Sequence, residues 1–407
     1  MIESFKRHIQ PLINIYHLLR AVIANVYFGF PSTKLKVIGV TGTDGKTTTT
    51  HAVYQILKTA GKKVSMLSTV YAKVGDTEYE TGLHVTTPDP FLLQDFMAKA
   101  VARGDEYFVL ETTSHGLDQN RNFGVHYAVS VITNITHEHL DYHKTYRAYV
   151  RAKAKLAQQS SLVLLNKDDQ SYELLRSCTG SAQVKTYALN KPAEYHIDLR
   201  RKLKLDIPDY NNYNFLAAYG VCSELGVDED VILETLKQFS TPPGRNEIVY
   251  DKAFRVVIDF AHTPNSLLNI LSTLSQQAKK RKGRLIHVFG SAGLRDRSKR
   301  PLMGAASDKY ADISIITEED YRTESIHKIC DEICSGMTTA EKRKKEGTLL
   351  MKPNRQDAIN AAVKLAKKND IIVCTGKAHE KSLNRKGREE PWDEFQAVQN
   401  AVTHAGI

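Results

Sequence analysis

Lys46 sits in the run VTGTDGKTTTT (Val40–Thr50), behind Gly42 and Gly45 and ahead of four consecutive threonines. A glycine-rich turn between a strand and a helix points backbone N–H groups into a concavity, and the helix N-terminus adds positive potential, so phosphate is the natural guest. Lys46 would bridge the outer phosphates, while Thr47, with Thr48 beside it, offers a hydroxyl to a hydrated Mg²⁺, an ion that prefers oxygen ligands. An ordinary glycine-rich turn is the alternative. The general phosphate-loop formula asks for a glycine where Val40 stands; the glycines here are Gly39, Gly42 and Gly45. Further along, EYFVLETTSHGLDQNR ends an apolar run on Glu111, a carboxylate placed to reach a nucleotide's metal directly or through water. TNITHEHLDYH offers His137, His139 and His143 with Glu138 and Asp141, in the spacing of neither a zinc finger nor H-E-x-x-H. One histidine joining carboxylates around a second Mg²⁺ is therefore at least as good a reading as zinc. In AYVRAKAKLAQQ, Lys153 and Lys155 read by default as solvated residues of an alanine-rich helix.

These groups need elements to position them. From Val37 to about Ser240, the strand-like runs KKVSMLSTV, EYFVLE, AVSVITNI and SLVLLN alternate with amphipathic stretches, which predicts a mostly parallel α/β sheet. The apolar run before the phosphate loop reads as a buried strand, and Val53, Ile56 and Leu57 after it recur at helical spacing. Residues 185–210 are charged and poorly periodic, as in a connection or a small subdomain. A break near Thr241-Pro242-Pro243-Gly244 precedes a second α/β series: FRVVIDF, RLIHVFG, ADISIIT and NDIIVCTG. The expected organisation is an amphipathic helical segment at 1–36, a central nucleotide-binding domain at 37–241 and a C-terminal domain at 242–407.

Composition bounds the reading. With 407 residues, 42% hydrophobic and 25% charged, the chain is an ordinary globular protein with room for two or three domains. A net charge of +10 favours anionic partners, yet no Lys/Arg groove with interleaved aromatics is visible, so nucleic acid is not expected. Five cysteines without a C-x-x-C pair fit a reducing compartment and a cytoplasmic location. The stretch IQPLINIYHLLRAVIANVYFGF is interrupted by His17 and Arg20, and a central arginine alone costs about 2.5 to 3.5 kcal/mol on insertion scales. It reads instead as an amphipathic helix with Leu12, Ile15, Leu19, Ile23 and Val26 on one side. Packing of that stripe onto its own protein is the expectation; peripheral contact of residues 1–30 with a membrane or partner is the alternative.

The run GVTGTDGKTTTT, with its shifted glycines, resembles the nucleotide loop of the Mur ligase superfamily. TTPDP (Thr86–Pro90), ETTSHGLDQNR, TNITHEHLDYH, NNYNFLAA, PGRNE, DFAHTP, GSAGLRDRSKRP and GKAHE follow in the order of that family, from about Val37 to the end of the chain. Together they resemble the MurE branch, which adds a diamino acid to UDP-MurNAc-dipeptide.

The resemblance implies a P-loop ATPase-like central domain, a Rossmann-like C-terminal domain, and ATP and Mg²⁺ as cofactors. It also implies a reaction in which a substrate carboxylate is phosphorylated and an amine then attacks the acyl phosphate, giving an amide. By this resemblance Gly42, Thr43, Asp44, Gly45, Lys46, Thr47 and Thr48 hold the nucleotide, Asn214 approaches the adenine, Asp259 the ribose, and Arg245 and His262 reach it from the second domain. Lys46, Glu111, His139 and Lys153 are the implied catalytic group. Thr47, Glu111, His139 and a carbamylated Lys153 would hold metal. Thr86, Thr87, Thr113, Ser114, Gln119 and Arg121 match positions that bind the muramoyl-peptide donor. The D-N-P-R acceptor motif appears as Glu319-Asp320-Tyr321-Arg322; Arg295 and Arg322, with Asp320, Gly376 and Glu380, are the candidates for the amino-acid acceptor. Members usually begin with a domain that grips the UDP portion, and residues 1–36 stand in that place here, where they would help hold the donor or locate the protein near it. A folylpolyglutamate synthase-like ligase and a non-catalytic relative docking to a membrane or partner enzyme are the other readings.

Overall fold

The computed structural model describes residues 2–80, 87–136 and 138–406. Chain contacts divide it into two compact units, residues 1–135 with 145–242, and residues 136–144 with 243–407.

The first unit is built on eight strands: β1 (Lys36–Thr41), β2 (Val64–Leu67), β3 (Ala72–Val74), β4 (Thr77–Tyr79), β5 (Tyr107–Glu111), β6 (Tyr127–Ile132), β7 (Ser160–Asn166) and β8 (Gln183–Tyr187). Their order is β4-β3-β2-β5-β1-β6-β7-β8. The pairings from β2 through β8 are parallel, and β3 and β4 add antiparallel to one edge. Apolar runs such as YFVLE are buried at every position because helices cover a parallel sheet on both faces. The helix Lys46–Thr59 buries Val53, Ile56 and Leu57 in the same core as Phe215 and Leu216 of the helix Asp209–Glu224. In register, Val40 lies opposite both Glu111 and Val131, so β1, β5 and β6 end together. Three motif-bearing loops therefore leave one edge of the sheet, where α/β proteins carry their sites. Within the charged stretch at 185–210, β8 extends to Tyr187, which bridges to Tyr195, and a short helix spans Leu199–Leu203.

The second unit carries β9 (Glu247–Asp251), β10 (Arg255–Asp259), β11 (Leu285–Phe289), β12 (Ile313–Ile316), β13 (Leu349–Met351) and β14 (Ile371–Thr375), in the order β13-β12-β11-β14-β10-β9. All pairings are parallel except β9 with β10. A separate hairpin joins β15 (Ser382–Arg385) to β16 (Arg388–Pro391). The helix Ile326–Cys334 turns Cys330 inward as a packing residue, and burial pushes its thiol up to about 12.

The N-terminal helix, Ile2–Phe28, corrects one expectation. The stripe Leu12, Ile15, Leu19, Ile23 and Val26 does not pack onto the protein: each of these side chains is 53 to 65% exposed. The opposite side is seated instead, through Ala21, Ala24 and Asn25, which are buried. Arg20 meets Asp89 at 2.8 Å, Asn14 Nδ2 donates to Asp118 at 3.4 Å, and Asn25 Nδ2 donates to the Phe123 carbonyl at 2.8 Å. Three directional bonds outweigh the local pattern, which ranks faces by hydropathy alone.

Candidate active site

Gly42 and Gly45 shape the loop between β1 and the helix Lys46–Thr59. Gly42 has φ +155°, and a Cβ there would stand 1.8 Å from Thr133 Oγ1; Gly45 has φ +81°, and its Cβ would stand 2.1 Å from Asn214 Oδ1. Only glycine permits either approach. The loop is braced from β6 by Asn134, whose Oδ1 accepts from the Asp44 N–H at 3.0 Å, and by Thr133, whose hydroxyl donates to the Asp44 carbonyl at 2.7 Å. Thr43 Oγ1 lies 3.1 Å from the Tyr149 hydroxyl, and Lys46 Nζ donates to the Thr43 carbonyl at 2.7 Å. The result is a glycine-lined cradle at the mouth of a 14-residue helix, with a lysine folded over it.

Glu111 is fully buried at the end of β5. Its Oε1 accepts from Thr47 Oγ1 at 3.1 Å and from Thr69 Oγ1 at 2.8 Å, and its Oε2 accepts from the Thr69 N–H at 2.9 Å. Lys153, on the helix Tyr146–Gln158, is also buried, and its Nζ donates to the Gly42 carbonyl at 2.6 Å. Burial first, then the neighbouring Lys46 charge, hold its amine well below the usual lysine range. The default reading of Lys153 as a solvated side chain is thus overturned; Lys155, partly exposed, reaches the Asp118 carboxylate at 3.3 Å. The oxygens of Thr47 and Glu111 form a hard donor set that suits Mg²⁺, and the cradle suits a polyphosphate, so the residues present fit both groups.

The candidate donor motifs meet in the same unit. Thr87 Oγ1 lies 3.0 Å from Thr113 Oγ1 and accepts from the Thr113 N–H at 2.9 Å, and Arg121 donates to the Thr87 carbonyl at 2.8 Å. Ser114 and Gln119 are buried beside them on the helix Ser114–Asp118 and its end. Thr86 and His137 lie outside the described residues.

His139 belongs to the segment 136–144, which groups with the second unit. It stands at φ +57° ahead of the short helix Leu140–His143, with Nδ1 3.9 Å from Glu138 Oε1. Among the described residues, no group of three or more His, Cys, Asp or Glu side chains is assembled as a metal cluster. Glu138 is buried against Lys299 at 3.2 Å, and Lys299 Nζ also donates to the His262 carbonyl at 2.9 Å. Phe260 gathers the nucleotide candidates of this unit: the Arg245 guanidinium and the His262 ring each lie 4.8 Å from its ring. Asp259, at the end of β10, accepts from the Asn246 and Ala261 N–H groups at 2.7 Å each.

The acceptor candidates also share the second unit. Arg295 keeps exposed surface, yet the protein packed around it, and next the Arg322 charge, hold its pKa down. Arg322 donates to the Gly293 carbonyl at 2.6 Å. Asp320 and Glu380 are bridged by the buried Lys377, at 3.1 Å and 2.7 Å. A Cβ on Gly376, at φ +91°, would stand 2.9 Å from Glu319 Oε2.

The sequence pattern of the Mur ligase middle domain matches residues 40–215, and that of the Mur ligase glutamate ligase domain matches residues 244–378. The chain belongs to the Mur ligase family. A relative from Aquifex aeolicus, UDP-N-acetylmuramoyl-L-alanyl-D-glutamate--2,6-diaminopimelate ligase, is 36% identical over 397 residues, covering 93% of this chain and 80% of its own. A solved structure of a ligase of that name superposes with a TM-score of 0.60 at 26% identity, covering 96% of this chain and 83% of the other. Mycobacterium tuberculosis folylpolyglutamate synthase complexed with ADP shares the fold, with a TM-score of 0.70 at 18% identity over 88% of this chain and 92% of that one.

Several residues packed with these candidates were invisible as single letters, some in the second unit and some at the candidate phosphate loop. Thr69 and Tyr149 join it through contacts that only the folded sheet edge makes. Lys299 and Lys377 lie inside quoted motifs, but nothing local marks them as buried cations. His379 stands between Ala378 and Glu380, and burial, then the Arg245 charge, push its imidazole down to about 4.

Proposed function

We propose that this member of the Mur ligase family is an ATP-dependent amide-bond-forming ligase of peptidoglycan precursor synthesis, which joins a diamino acid to the carboxylate of a muramoyl-peptide donor. The observation that carries the reading is the convergence of Lys46, Thr47, Glu111 and Lys153 on one glycine-lined loop. ATP, when bound with Mg²⁺, supplies the phosphoryl group that activates the donor carboxylate. Phosphoryl transfer asks the protein chiefly for positioning and charge neutralisation. The loop's N–H groups and Lys46 orient and neutralise phosphate oxygens, and Glu111 orients Thr47 for a metal. Burial favours the neutral amine of Lys153, the form that carbamylates: its nitrogen would bond to the carbon of CO₂ and release a proton, and the resulting carbamate would offer an anionic oxygen ligand. Thr87, Thr113 and Arg121 hold the donor, while Arg295 receives the carboxylate end of the acceptor and Arg322, bound to the Gly293 carbonyl, steadies the loop beside it.

An ADP-release assay with Mg²⁺, across a matrix of muramoyl-peptide donors and amino acids with a folate and glutamate arm, tests the proposal. Release that depends on a muramoyl-peptide and a diamino acid is expected. Release only in the folate arm, or in none, overturns it.

A further inference from the structure

The N-terminal helix is held by one side and bare on the other. Leu12, Ile15, Leu19, Ile23 and Val26 follow one another along its outward face, over roughly 20 Å at 1.5 Å per residue. Tyr16, Val22 and Tyr27 widen the stripe, and Phe30 continues it beyond the helix end; each is at least 40% exposed. No charged residue interrupts this face, since Arg20 turns to its edge, where it donates to Tyr16 Oη at 2.7 Å and pairs with Asp89 at 2.8 Å. Isolated exposed apolar residues are ordinary, but a contiguous row marks an interaction surface.

The polar side settles that this row is the helix's true outer face. Arg20, Asn14 and Asn25 bond Asp89, Asp118 and the Phe123 carbonyl, partners 69 to 104 positions away in sequence. Rolling the helix to bury the stripe would break all three contacts.

We propose that this face docks in the plane of an anionic lipid bilayer. Two observations favour lipid over a protein surface. The stripe offers aliphatic and aromatic carbon with almost no directional polar groups, whereas protein interfaces carry about one hydrogen bond per 100 to 200 Å²; a bilayer's hydrocarbon boundary asks for none. Charge also matches: residues 1–36 contain five basic residues and one acidic one, Lys34 is exposed just past Phe30, and the chain carries +10 overall. An apolar face with interfacial aromatics and flanking basic residues is the pattern of a helix lying in the headgroup region. It lies on the bilayer without crossing it, for no described helix is long and apolar enough to span a membrane.

The seated side adds a spatial consequence. Asp89 lies two residues beyond Thr87 and Asp118 immediately precedes Gln119, so the helix rests on the two segments that carry the donor candidates. Docking places them within about one helix diameter, 10 to 12 Å, of the lipid surface.

The test is co-sedimentation of the full-length protein with vesicles of phosphatidylcholine alone and of phosphatidylcholine enriched in phosphatidylglycerol, at low and high salt, beside analytical ultracentrifugation without lipid. The variant is Leu19→Glu with Ile23→Glu; Ile248→Glu, at an exposed apolar position in the other unit, is the control. Binding to phosphatidylglycerol vesicles that weakens with salt is expected. The double substitution should lower partitioning roughly a hundredfold, about tenfold per apolar side chain kept from the interface, with an unchanged melting temperature. Absence of vesicle binding, binding that survives the double substitution, or a lipid-free dimer that the substitution splits overturns the proposal; the last outcome would assign the face to a second copy of the chain.

Discussion

Lys299 Nζ lies 3.2 Å from Glu138 Oε1, with both side chains 5% exposed, and so ties the segment bearing His139 to the helix Lys299–Tyr310. Removing one member of a buried pair leaves an uncompensated charge, which costs about 3 to 5 kcal/mol. Lys299→Met should therefore destabilise the protein in denaturant titration by about that amount and lower kcat through a displaced His139. The double variant Lys299→Met with Glu138→Gln should regain part of the stability. Equal stability of the single variant and the parent would show that the contact is dispensable.

Glu111→Gln keeps the shape of the buried carboxylate but halves its acceptor capacity for Thr47 and Thr69. Turnover should fall by about a hundredfold or more, as when one preorganised electrostatic group is lost. Lys46→Ala should do the same without loss of fold, because Lys46 opens its helix, is half-buried, and turns its Nζ to the Thr43 carbonyl of the loop rather than into the core. Donor-dependent ADP release is the readout, with circular dichroism as the check on folding.

Lys153 gives a prediction that separates carbamylation from simple packing. Depleting dissolved CO₂ and bicarbonate should lower the activity of the parent and restoring bicarbonate should recover it. Lys153→Ala should be inactive and insensitive to both. Full activity of the parent without CO₂ would remove the carbamate from the mechanism.

Glu319 predicts a pH effect on stability. Burial pushes its carboxyl up from 4.5 to about 7; Asp320 and Glu380 push the same way, and Lys299 and Lys377 oppose them. The buried Arg355 also feels its charge. The folded state thus holds a proton that the unfolded chain gives up, so this group's contribution is complete below pH 4.5 and declines as pH rises toward about 7. The decline is on the order of 3 kcal/mol. Glu319→Gln should flatten that part of the stability profile; parallel profiles for variant and parent would contradict the assignment.

The acceptor reading separates the two arginines. Arg322 is engaged by the Gly293 carbonyl, whereas Arg295 as a residue keeps exposed surface. Arg295→Ala should lower the diaminopimelate-to-lysine ratio of kcat/KM by about tenfold to a hundredfold, the loss of one charged hydrogen bond of 1 to 3 kcal/mol. Arg322→Ala should mainly lower the melting temperature. An unchanged ratio for Arg295→Ala would place the acceptor's second carboxylate elsewhere.

The central strands and the phosphate loop were legible because their signals are local: an apolar run, a glycine where φ is positive, a carboxylate at a strand end. The edge strands β3, β4 and β13 are three residues long and too polar or too short to register. Lys153 was legible only through the family resemblance, because an alanine-rich helix hides which side meets the sheet. The N-terminal helix misled for the reverse reason, since its apolar periodicity is real but its polar partners lie far away in sequence.

The segment 136–144 belongs to a unit whose other residues begin at Pro243. Its anchor Lys299 follows Glu138 by 161 positions. At about 5 to 20 residues per second, a ribosome synthesises the anchor roughly ten to thirty seconds after the segment. Through that interval the nascent first unit carries a piece of a neighbour that has yet to exist. A chain divided after Pro242 would strand that piece on the wrong fragment, so the two units are not separable parts for expression or recombination.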